Sequence, residues 1–190
     1  MKRVGIDLDG VLVDFSGYVY KYLSQYVENL PPIDHLFNRL YWEHSISVPE
    51  DAKDLMNQIF DPKNTYHWER MPSLVSKKDL IAINECEDGI VFITSRPHYT
   101  FDASLNWLKK NIGPTIKYSL VTGAMSKAAV CDGLYIAKYL DDRYIYAAEI
   151  ATRSRCRSYL LNSSENKEFD NVEHIGIKRV NTIAEFINDN

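Results

Sequence analysis

The stretch that decides the fold is Val4-Gly5-Ile6-Asp7-Leu8-Asp9-Gly10-Val11, a short apolar run that ends in two carboxylates and a glycine. The apolar run is typical of a buried strand. Because side chains alternate along a strand, Asp7 and Asp9 leave the same side, and their oxygens can reach one ligand. Adjacent carboxylates repel each other, so the pair indicates a bound cation or a shared proton, and Gly10 permits a close backbone approach. The alternative is an ordinary turn with solvated acids.

The composition limits the class of protein. A chain of 190 residues is long enough for one domain with a smaller insertion. With 45% hydrophobic and 25% charged residues it is typical of a soluble globular protein, and its net charge of -4 gives no general attraction to nucleic acid or anionic membrane. We find no signal peptide or membrane-spanning run, and therefore expect a cytoplasmic protein. The three scattered cysteines match neither a disulfide framework nor a zinc site.

Strand and helix patterns alternate along the chain. Apolar runs predict further strands at residues 90–93, 116–121, 135–140, 157–161 and 175–180. Helical spacing predicts helices at residues 18–30, 36–42, 50–60, 74–86 and 101–112, a short helix from Lys127, and one at 182–188. This alternation predicts an α/β fold with a parallel sheet and helices on both faces.

Polar residues follow several of these strands. In such a sheet, ligands bind outside the carboxyl ends of the strands, where the following residues would gather: Asp7, Asp9, Thr94, Ser95, Lys127, Asp141 and Asp142. Taken singly, each has another interpretation: Thr94-Ser95 could cap a helix, Lys127 could be solvated, and Asp141-Asp142 could form a turn. Their coincidence at one edge favours a functional site.

The order of these groups resembles the haloacid dehalogenase superfamily. The resemblance spans roughly the whole chain and rests on four segments: Asp7-Leu8-Asp9-Gly10-Val11, Thr94 after its strand, Met125-Ser126-Lys127-Ala128, and Asp141-Asp142. It implies a Rossmannoid three-layer α/β/α fold with a parallel sheet of order 3-2-1-4-5. The core would comprise residues 1–15 and 72–190, and residues 16–71 would form a small helical cap inserted after the first strand. The longer forms of the motifs, including Thr94-Ser95-Arg96-Pro97, resemble the 5'(3')-deoxyribonucleotidase group.

The resemblance also implies roles for the site residues. Asp7 would be the nucleophile that forms an aspartyl phosphate, and Asp9 would protonate the leaving oxygen and later activate water. Mg²⁺ would be held by Asp7, the carbonyl of Asp9 and Asp142, with Asp141 either a ligand or a supporting partner. Thr94, Ser95 and Lys127 would hold the phosphoryl oxygens.

The substrate contacts are less constrained by the sequence. Phe15 occupies a position similar to the base-packing phenylalanine of the family, and Trp42, Tyr66 and Trp68 are cap aromatic residues that could stack on a base or belong to the core. Arg96 could contact substrate or pair with a cap carboxylate.

These features predict a Mg²⁺-dependent phosphomonoesterase acting on (deoxy)nucleoside monophosphates. Two alternatives stay open: a phosphatase of the same superfamily acting on sugar phosphates or other small phosphoesters, and a catalytically silent nucleotide-binding protein. The expected partner is a small-molecule substrate, with no nucleic acid or membrane, and with a homodimer left open.

Overall fold

The structure is a computed structural model that describes residues 3–33, 50–114, 117–169 and 172–189. Its centre is a parallel sheet in the order β3-β2-β1-β4-β5-β6, which confirms the predicted order of five strands and places the strand predicted at residues 175–180 beside β5 as the sixth. The strands are β1 (Arg3–Ile6), β2 (Gly89–Ile93), β3 (Tyr118–Val121), β4 (Ile136–Asp141), β5 (Arg157–Leu161) and β6 (Ile177–Val180).

Helices cover both faces of the sheet. The described α-helices are α1 (Phe15–Leu23), α2 (Glu50–Ile59), α3 (Tyr66–Arg70), α4 (Lys77–Glu85), α5 (Phe101–Asn111), α6 (Lys127–Gly133), α7 (Tyr144–Arg153) and α8 (Ile183–Asn188). Ile90 and Phe92 of β2 belong to one apolar cluster together with residues of α4, α5 and α8. The intervening Val91 and Ile93 pack against α6 and α7 in a second cluster. This alternation produces the three-layer α/β/α arrangement.

The central strands are held together by side chains as well as by the backbone ladder. Tyr139 of β4 lies across Gly5 of β1, where any Cβ would overlap its ring. The Tyr139 hydroxyl donates a hydrogen bond to the carbonyl of Ile93 at 2.8 Å, which ties β4 to β2 beneath β1. The glycine in the first strand is therefore explained by close packing.

A further apolar cluster lies between α1 and α2. Its buried members are Val19, Leu23, Val27, Ala52, Met56 and Ile59. The chain enters and leaves this region through two paired segments, residues 12–14 and 72–74, which we call the neck. Asp14 N–H donates to the Pro72 carbonyl at 2.9 Å, and Leu74 N–H donates to the Leu12 carbonyl at 2.8 Å. Among the described residues, no helix is long and apolar enough to cross a membrane.

Several predicted boundaries are wrong. The first helix ends at Leu23 rather than at residue 30, because the chain turns after Ser24 and Asn29 has a positive φ of 57°. Val27 nevertheless belongs to the same apolar cluster as residues of α2. The apolar periodicity therefore predicted correctly that Val27 is buried, but wrongly that the helix extends to it. Helices α3 and α7 were not predicted. The predicted helix at 36–42, together with Trp42, lies outside the described residues.

Candidate functional site

The chain folds back on itself immediately after the two acids that follow β1. The carbonyl of Leu8 accepts hydrogen bonds from the N–H groups of Leu12 and Val13, at 2.8 and 2.9 Å. Gly10 makes this turn possible with a φ of 80°. Asp7 is held against β4 because its N–H donates to the Leu140 carbonyl at 3.0 Å. The turn therefore presents both acids at the carboxyl edge of the sheet.

A cavity of about 250 Å³ opens at this edge. It collects the following residues that the sequence predicted: Asp7, Asp9, Phe15, Thr94, Ser95, Arg96, Lys127, Asp142 and Trp68. Asp141 is fully buried next to the cavity. The polar residues that follow separate strands in the sequence thus meet in one place.

Lys127 is the central cation of the site. Its side chain is 1% exposed, and its ammonium lies 2.7 Å from Asp141 Oδ2 and 2.9 Å from Asp7 Oδ1. The contact with Asp141 is an aligned hydrogen bond, whereas the contact with Asp7 is an ion pair. Burial alone would lower the pKa of Lys127, but Asp141 and Asp7 outweigh that effect and raise it. Lys127 is therefore a buried charged group, and the interpretation as a solvated helix residue is wrong.

Three carboxylates crowd around this ammonium. One oxygen from each of Asp7, Asp141 and Asp142 lies within 4.8 Å of the others. Burial raises the pKa of Asp7 to about 7; Lys127 opposes this shift, and Asp141 and Asp9 add to it. Burial, followed by repulsion from Asp141 and Asp7, raises the pKa of Asp142 well above its ordinary value. One lysine does not offset this concentration of negative charge.

The donor set fits a hard divalent cation. Asp142 Oδ1 is buried and has no hydrogen-bond partner among the described residues, so it is available as a ligand. Asp141 is differently placed, because Oδ2 accepts from Lys127 and Oδ1 accepts from the Arg143 N–H at 2.9 Å. All the available donors are oxygen atoms, as Mg²⁺ prefers.

Asn166 supports the second acid pair from behind. Its side-chain amide donates to the carbonyls of Asp142 and Leu161, both at 2.7 Å. Arg179 in turn donates to the side-chain oxygen of Asn166 at 3.1 Å. The backbone at Asp142 is therefore fixed by a network that the sequence did not reveal, since its members come from the segments after β4 and β5 and from β6.

Thr94 and Ser95 stabilise the loop after β2. Thr94 Oγ1 accepts the Arg96 N–H at 3.2 Å, and the Ser95 hydroxyl donates to the Ala124 carbonyl at 3.1 Å. Helix α5 starts at Phe101, with Thr100 in the capping position. The helix-capping interpretation of Thr94-Ser95 is therefore wrong, and both residues line the cavity.

Arg96 pairs with Asp9, which neither sequence-based alternative included. Its Nη2 lies 2.6 Å from Asp9 Oδ1, and its Nε lies 3.1 and 2.9 Å from Asp9 Oδ1 and Oδ2. The remaining guanidinium nitrogen, Nη1, donates to Ser104 Oγ at 3.0 Å. The guanidinium carbon lies 4.9 Å from the centre of the Trp68 ring.

Aromatic residues form one side of the cavity. Phe15 and Trp68 are stacked with ring centroids 6.0 Å apart, and Phe60 meets Trp68 edge-on at 5.6 Å. We call Phe15, Phe60 and Trp68 the aromatic wall. Tyr66 is 45% exposed and is not among the residues lining this cavity.

The residues that line the cavity and that sequence reasoning missed include Ser16, Phe60, Arg143, Tyr146 and Glu165. The Lys127 ammonium lies 4.3 Å from the Tyr146 ring centre, a cation–π distance. A signal existed for Arg143, which directly follows the second acid pair. Tyr146 could not be found because α7 itself was not predicted.

Comparison with known proteins gives a relation by structure only. No protein-family model matches the sequence, and no curated protein matches it significantly. Solved structures match over nearly the whole chain. A haloacid dehalogenase-like hydrolase from Streptococcus pneumoniae has a TM-score of 0.65 and 14% identity, covering 98% of this chain and 97% of its own.

Two further structures agree. A candidate phosphoglycolate phosphatase from Lactobacillus plantarum has a TM-score of 0.60 and 11% identity, with 98% and 99% of the two chains covered. The L-2-haloacid dehalogenase of Xanthobacter autotrophicus, with chloropropionic acid covalently bound, has a TM-score of 0.56 and 10% identity, with 98% and 97% covered.

The fold is that of haloacid dehalogenase-like hydrolases. It is shared by dehalogenases and a candidate phosphatase, so the fold does not select a reaction. None of the three structures is described as a nucleotidase, and they give no support to the finer grouping with deoxyribonucleotidases.

Proposed function

We propose that this protein is a Mg²⁺-dependent phosphomonoesterase that hydrolyses small phosphate esters, with (deoxy)nucleoside monophosphates as the favoured class. The observation that carries the proposal is Lys127, buried and within 2.9 Å of both Asp7 and Asp141, beside the unpaired oxygen of Asp142. A buried nucleophile with a fixed cation and a set of oxygen ligands suits a charged phosphoryl group.

The reaction would proceed in two displacements. An Asp7 oxygen attacks phosphorus, the bond from phosphorus to the ester oxygen breaks, and the departing oxygen takes a proton from Asp9. Water then attacks the phosphorus of the aspartyl phosphate and gives its proton to Asp9, releasing inorganic phosphate and free Asp7. Lys127, Thr94 and Ser95 hold the phosphoryl oxygens during both steps.

The metal would be held by Asp7, Asp142 and the carbonyl of Asp9. Asp141 supports the site as the partner of Lys127, because both of its oxygens already accept hydrogen bonds. When bound, Mg²⁺ supplies positive charge that offsets these carboxylates and the charge on the phosphoryl oxygens.

Asp9 favours phosphate-ester hydrolysis over dehalogenation. A departing halide is a weak base and needs no proton, whereas a departing alkoxide is strongly basic and does. Asp9 lines the same cavity as Asp7, so a carboxyl group that could exchange a proton with the leaving group lies next to the nucleophile. In the cleavage of a carbon–halogen bond, Asp9 would be needed only to activate water in the second step, so its place beside the leaving group favours a phosphate ester.

The aromatic wall supports a nucleotide as substrate. Phe15, Phe60 and Trp68 provide flat apolar surface on which a base could stack. We propose that residues 16–71 form the cap, since the buried members of the α1/α2 cluster are distinct from those of the sheet cluster. The cap would contact the core through the neck, through Tyr18, which packs against both clusters, and through Trp68, which belongs to the sheet cluster. A cavity of about 250 Å³ suits a small ester better than a polymer end.

A substrate panel tests the proposal. Nucleoside monophosphates, sugar phosphates, an oligonucleotide with a terminal phosphate and a 2-haloacid would be assayed with Mg²⁺ and with EDTA. We expect release of inorganic phosphate from nucleotides only with metal, and a loss of at least about 10³-fold in Asp7→Asn. Asp102→Asn, an exposed acid on α5, is the matched control.

The other outcomes are distinct. Preference for sugar phosphates would retain the chemistry and replace the substrate class. Halide release without phosphate release would identify a dehalogenase. Tight phosphate binding without any turnover would support the silent binding protein.

A further inference from the structure

Arg96 connects three parts of the molecule. It follows β2, its guanidinium binds Asp9 after β1, and it also binds Ser104 of α5. One face of the guanidinium is covered by Trp68 of α3, and Nη2 lies 3.7 Å from Met71 Sδ. The Arg96 side chain is 1% exposed, compared with 26% for that of Asp9.

This geometry leaves little of Arg96 for direct contact with a substrate. Nε and Nη2 point to Asp9, Nη1 points to Ser104, and the ring of Trp68 lies over the planar face. A residue that binds phosphate directly would need donors aimed into the cavity. The donors of Arg96 are aimed instead at the side chain that moves the proton.

We infer that Arg96 is a positioning residue that acts through Asp9 and makes proton delivery depend on the aromatic wall. The inference rests on the proposed phosphatase function. Two nitrogens of a rigid, planar guanidinium hold the Asp9 carboxylate, which fixes its orientation more tightly than a single contact would. The partly exposed Asp9 keeps one side towards the cavity.

The two oxygens of Asp9 are not equivalent. Oδ1 accepts from both Nε and Nη2, whereas Oδ2 accepts only from Nε within the described part of the chain. Oδ2 therefore keeps more of its lone-pair capacity, and it is the oxygen that carries the transferred proton.

Trp68 links the position of the leaving group to the Arg96–Asp9 ion pair. A flat leaving group on the aromatic wall contacts Trp68, whose ring lies 4.9 Å from the Arg96 guanidinium carbon. The residue that covers Arg96 is therefore also one that recognises the leaving group. A substrate that packs against the wall fixes Trp68, and through Arg96 it fixes Asp9.

Comparison of two leaving groups tests the inference. An alkyl phosphate, such as a nucleoside monophosphate, needs a proton on its leaving oxygen, whereas p-nitrophenyl phosphate releases a stabilised phenolate and does not. In Arg96→Lys, which keeps the charge and loses the planar fork, we expect kcat for the nucleotide to fall about 10²-fold. For p-nitrophenyl phosphate we expect a change of no more than about threefold, with similar KM values.

A double-mutant cycle with Asp9→Asn provides the second measurement. If Arg96 acts through Asp9, Arg96→Lys causes no further loss of nucleotide turnover in the Asp9→Asn background. Arg155→Lys, at an exposed arginine, is the matched control, and circular dichroism of each variant verifies folding.

The outcomes separate the inference from the function on which it rests. Equal losses for both esters, or additive losses in the double mutant, would overturn the role of Arg96 while leaving the phosphatase intact. A wild-type protein that hydrolyses neither these two esters nor any other phosphate ester of the substrate panel would overturn the phosphatase itself.

Discussion

Gly10 shows how a single residue shapes the proposed metal site. Its φ is 80°, and a Cβ at this position would overlap the carboxylate of Asp142. In Gly10→Ala, we expect the left-handed backbone to cost about 1–2 kcal/mol and Asp142 to be displaced, with kcat/KM at saturating Mg²⁺ falling about 10²-fold. Kinetics and isothermal titration with Mg²⁺ measure both effects.

Gly133→Ala is the matched control for this substitution. Gly133 ends α6, and a Cβ there meets nothing within 4 Å. We expect unchanged turnover and a stability equal to or higher than that of the wild type. If Gly10→Ala retained wild-type activity and Mg²⁺ affinity, Asp142 would not be needed at its observed position.

The pKa of Asp7 predicts a pH-dependent affinity for Mg²⁺. Burial raises this pKa to about 7, against the opposing effect of Lys127. A protonated carboxyl group is a poor ligand, so below pH 7 binding must displace a proton, and the affinity should fall up to about tenfold per pH unit. Above pH 7 the Asp7 carboxylate is already ionised, so Asp7 no longer contributes to the pH dependence of the affinity.

Titration calorimetry from pH 5.5 to 8.5 in two buffers of different ionisation enthalpy measures both the affinity and the protons released. Asp7→Asn should bind Mg²⁺ weakly and release no proton from this position. An affinity that does not change with pH in the wild type would contradict the expected ionisation of Asp7.

At the residue scale, the sequence predicts which side chains lie at the same edge of the sheet, but it does not predict which of them form hydrogen bonds and ion pairs with each other. Asp7, Lys127 and Asp142 could be placed together because parallel strands deliver the residues that follow them to one edge. The pairing of Arg96 with Asp9 could not be predicted. These residues are 87 positions apart, and their contact depends on side-chain rotamers and on the cover that Trp68 provides.

At the scale of elements, a strand lysine stabilises the end of the last helix. Lys138 of β4 is buried, and its ammonium donates to the carbonyls of Phe186, Ile187 and Asp189 at 2.9, 2.9 and 2.6 Å. These groups lie at the C-terminal end of α8, where a helix leaves its carbonyls without partners. A cation at this end also interacts favourably with the helix dipole.

Removal of that donor should loosen α8. We expect Lys138→Met to lower the free energy of unfolding by about 2 kcal/mol, because carbonyls lose their donors while shielded from water. Urea denaturation followed by circular dichroism measures the change. Lys178→Met is the control: its ammonium pairs with Asp189 with the side chain 56% exposed, and we expect a change below about 1 kcal/mol. Equal effects of both substitutions would contradict a specific role of Lys138.

Two errors in the predicted helices have physical causes. Helix α7 buries only Ala147 and Ile150 completely, so its apolar stripe is narrow and its aromatic residues near the N-terminal end do not follow a helical period. The predicted extension of α1 had the opposite cause, because Val27 continues the apolar period although the helix has already ended. Hydrophobic periodicity reports burial, and helix length also depends on turns and caps.

At the scale of the whole molecule, the sheet cluster and the α1/α2 cluster meet at Phe15, which lines the cavity. Phe15 and Tyr18 pack partly against both the sheet cluster and the α1/α2 cluster. Among the described residues, the two clusters have no buried side chain in common. Local unfolding of one cluster therefore need not expose the other. Proteins whose buried side chains form separate clusters can unfold locally, and the free energy of local unfolding is then lower than that of global unfolding.

Hydrogen exchange measured by mass spectrometry tests this division. We expect the amides of α1 and α2 to exchange at a lower opening free energy than those of β1, β2 and β4. Added Mg²⁺ with both reaction products, inorganic phosphate and a nucleoside, should protect both regions, because the cavity is lined by Phe15 and Phe60 as well as by Asp7 and Lys127. A ligand that contacts both sides stabilises their closed arrangement in proportion to the logarithm of its concentration.

The Asp7→Asn variant gives the control for this experiment, since it should weaken the ligand-dependent protection while leaving the order of the two regions unchanged. Identical exchange of the helices and the strands without ligand would show that the clusters unfold as one unit. Protection confined to the strands with both products present would show that the nucleoside does not bind at the aromatic wall. The hydrolysis of nucleotides would then require a further movement of α1 towards the sheet.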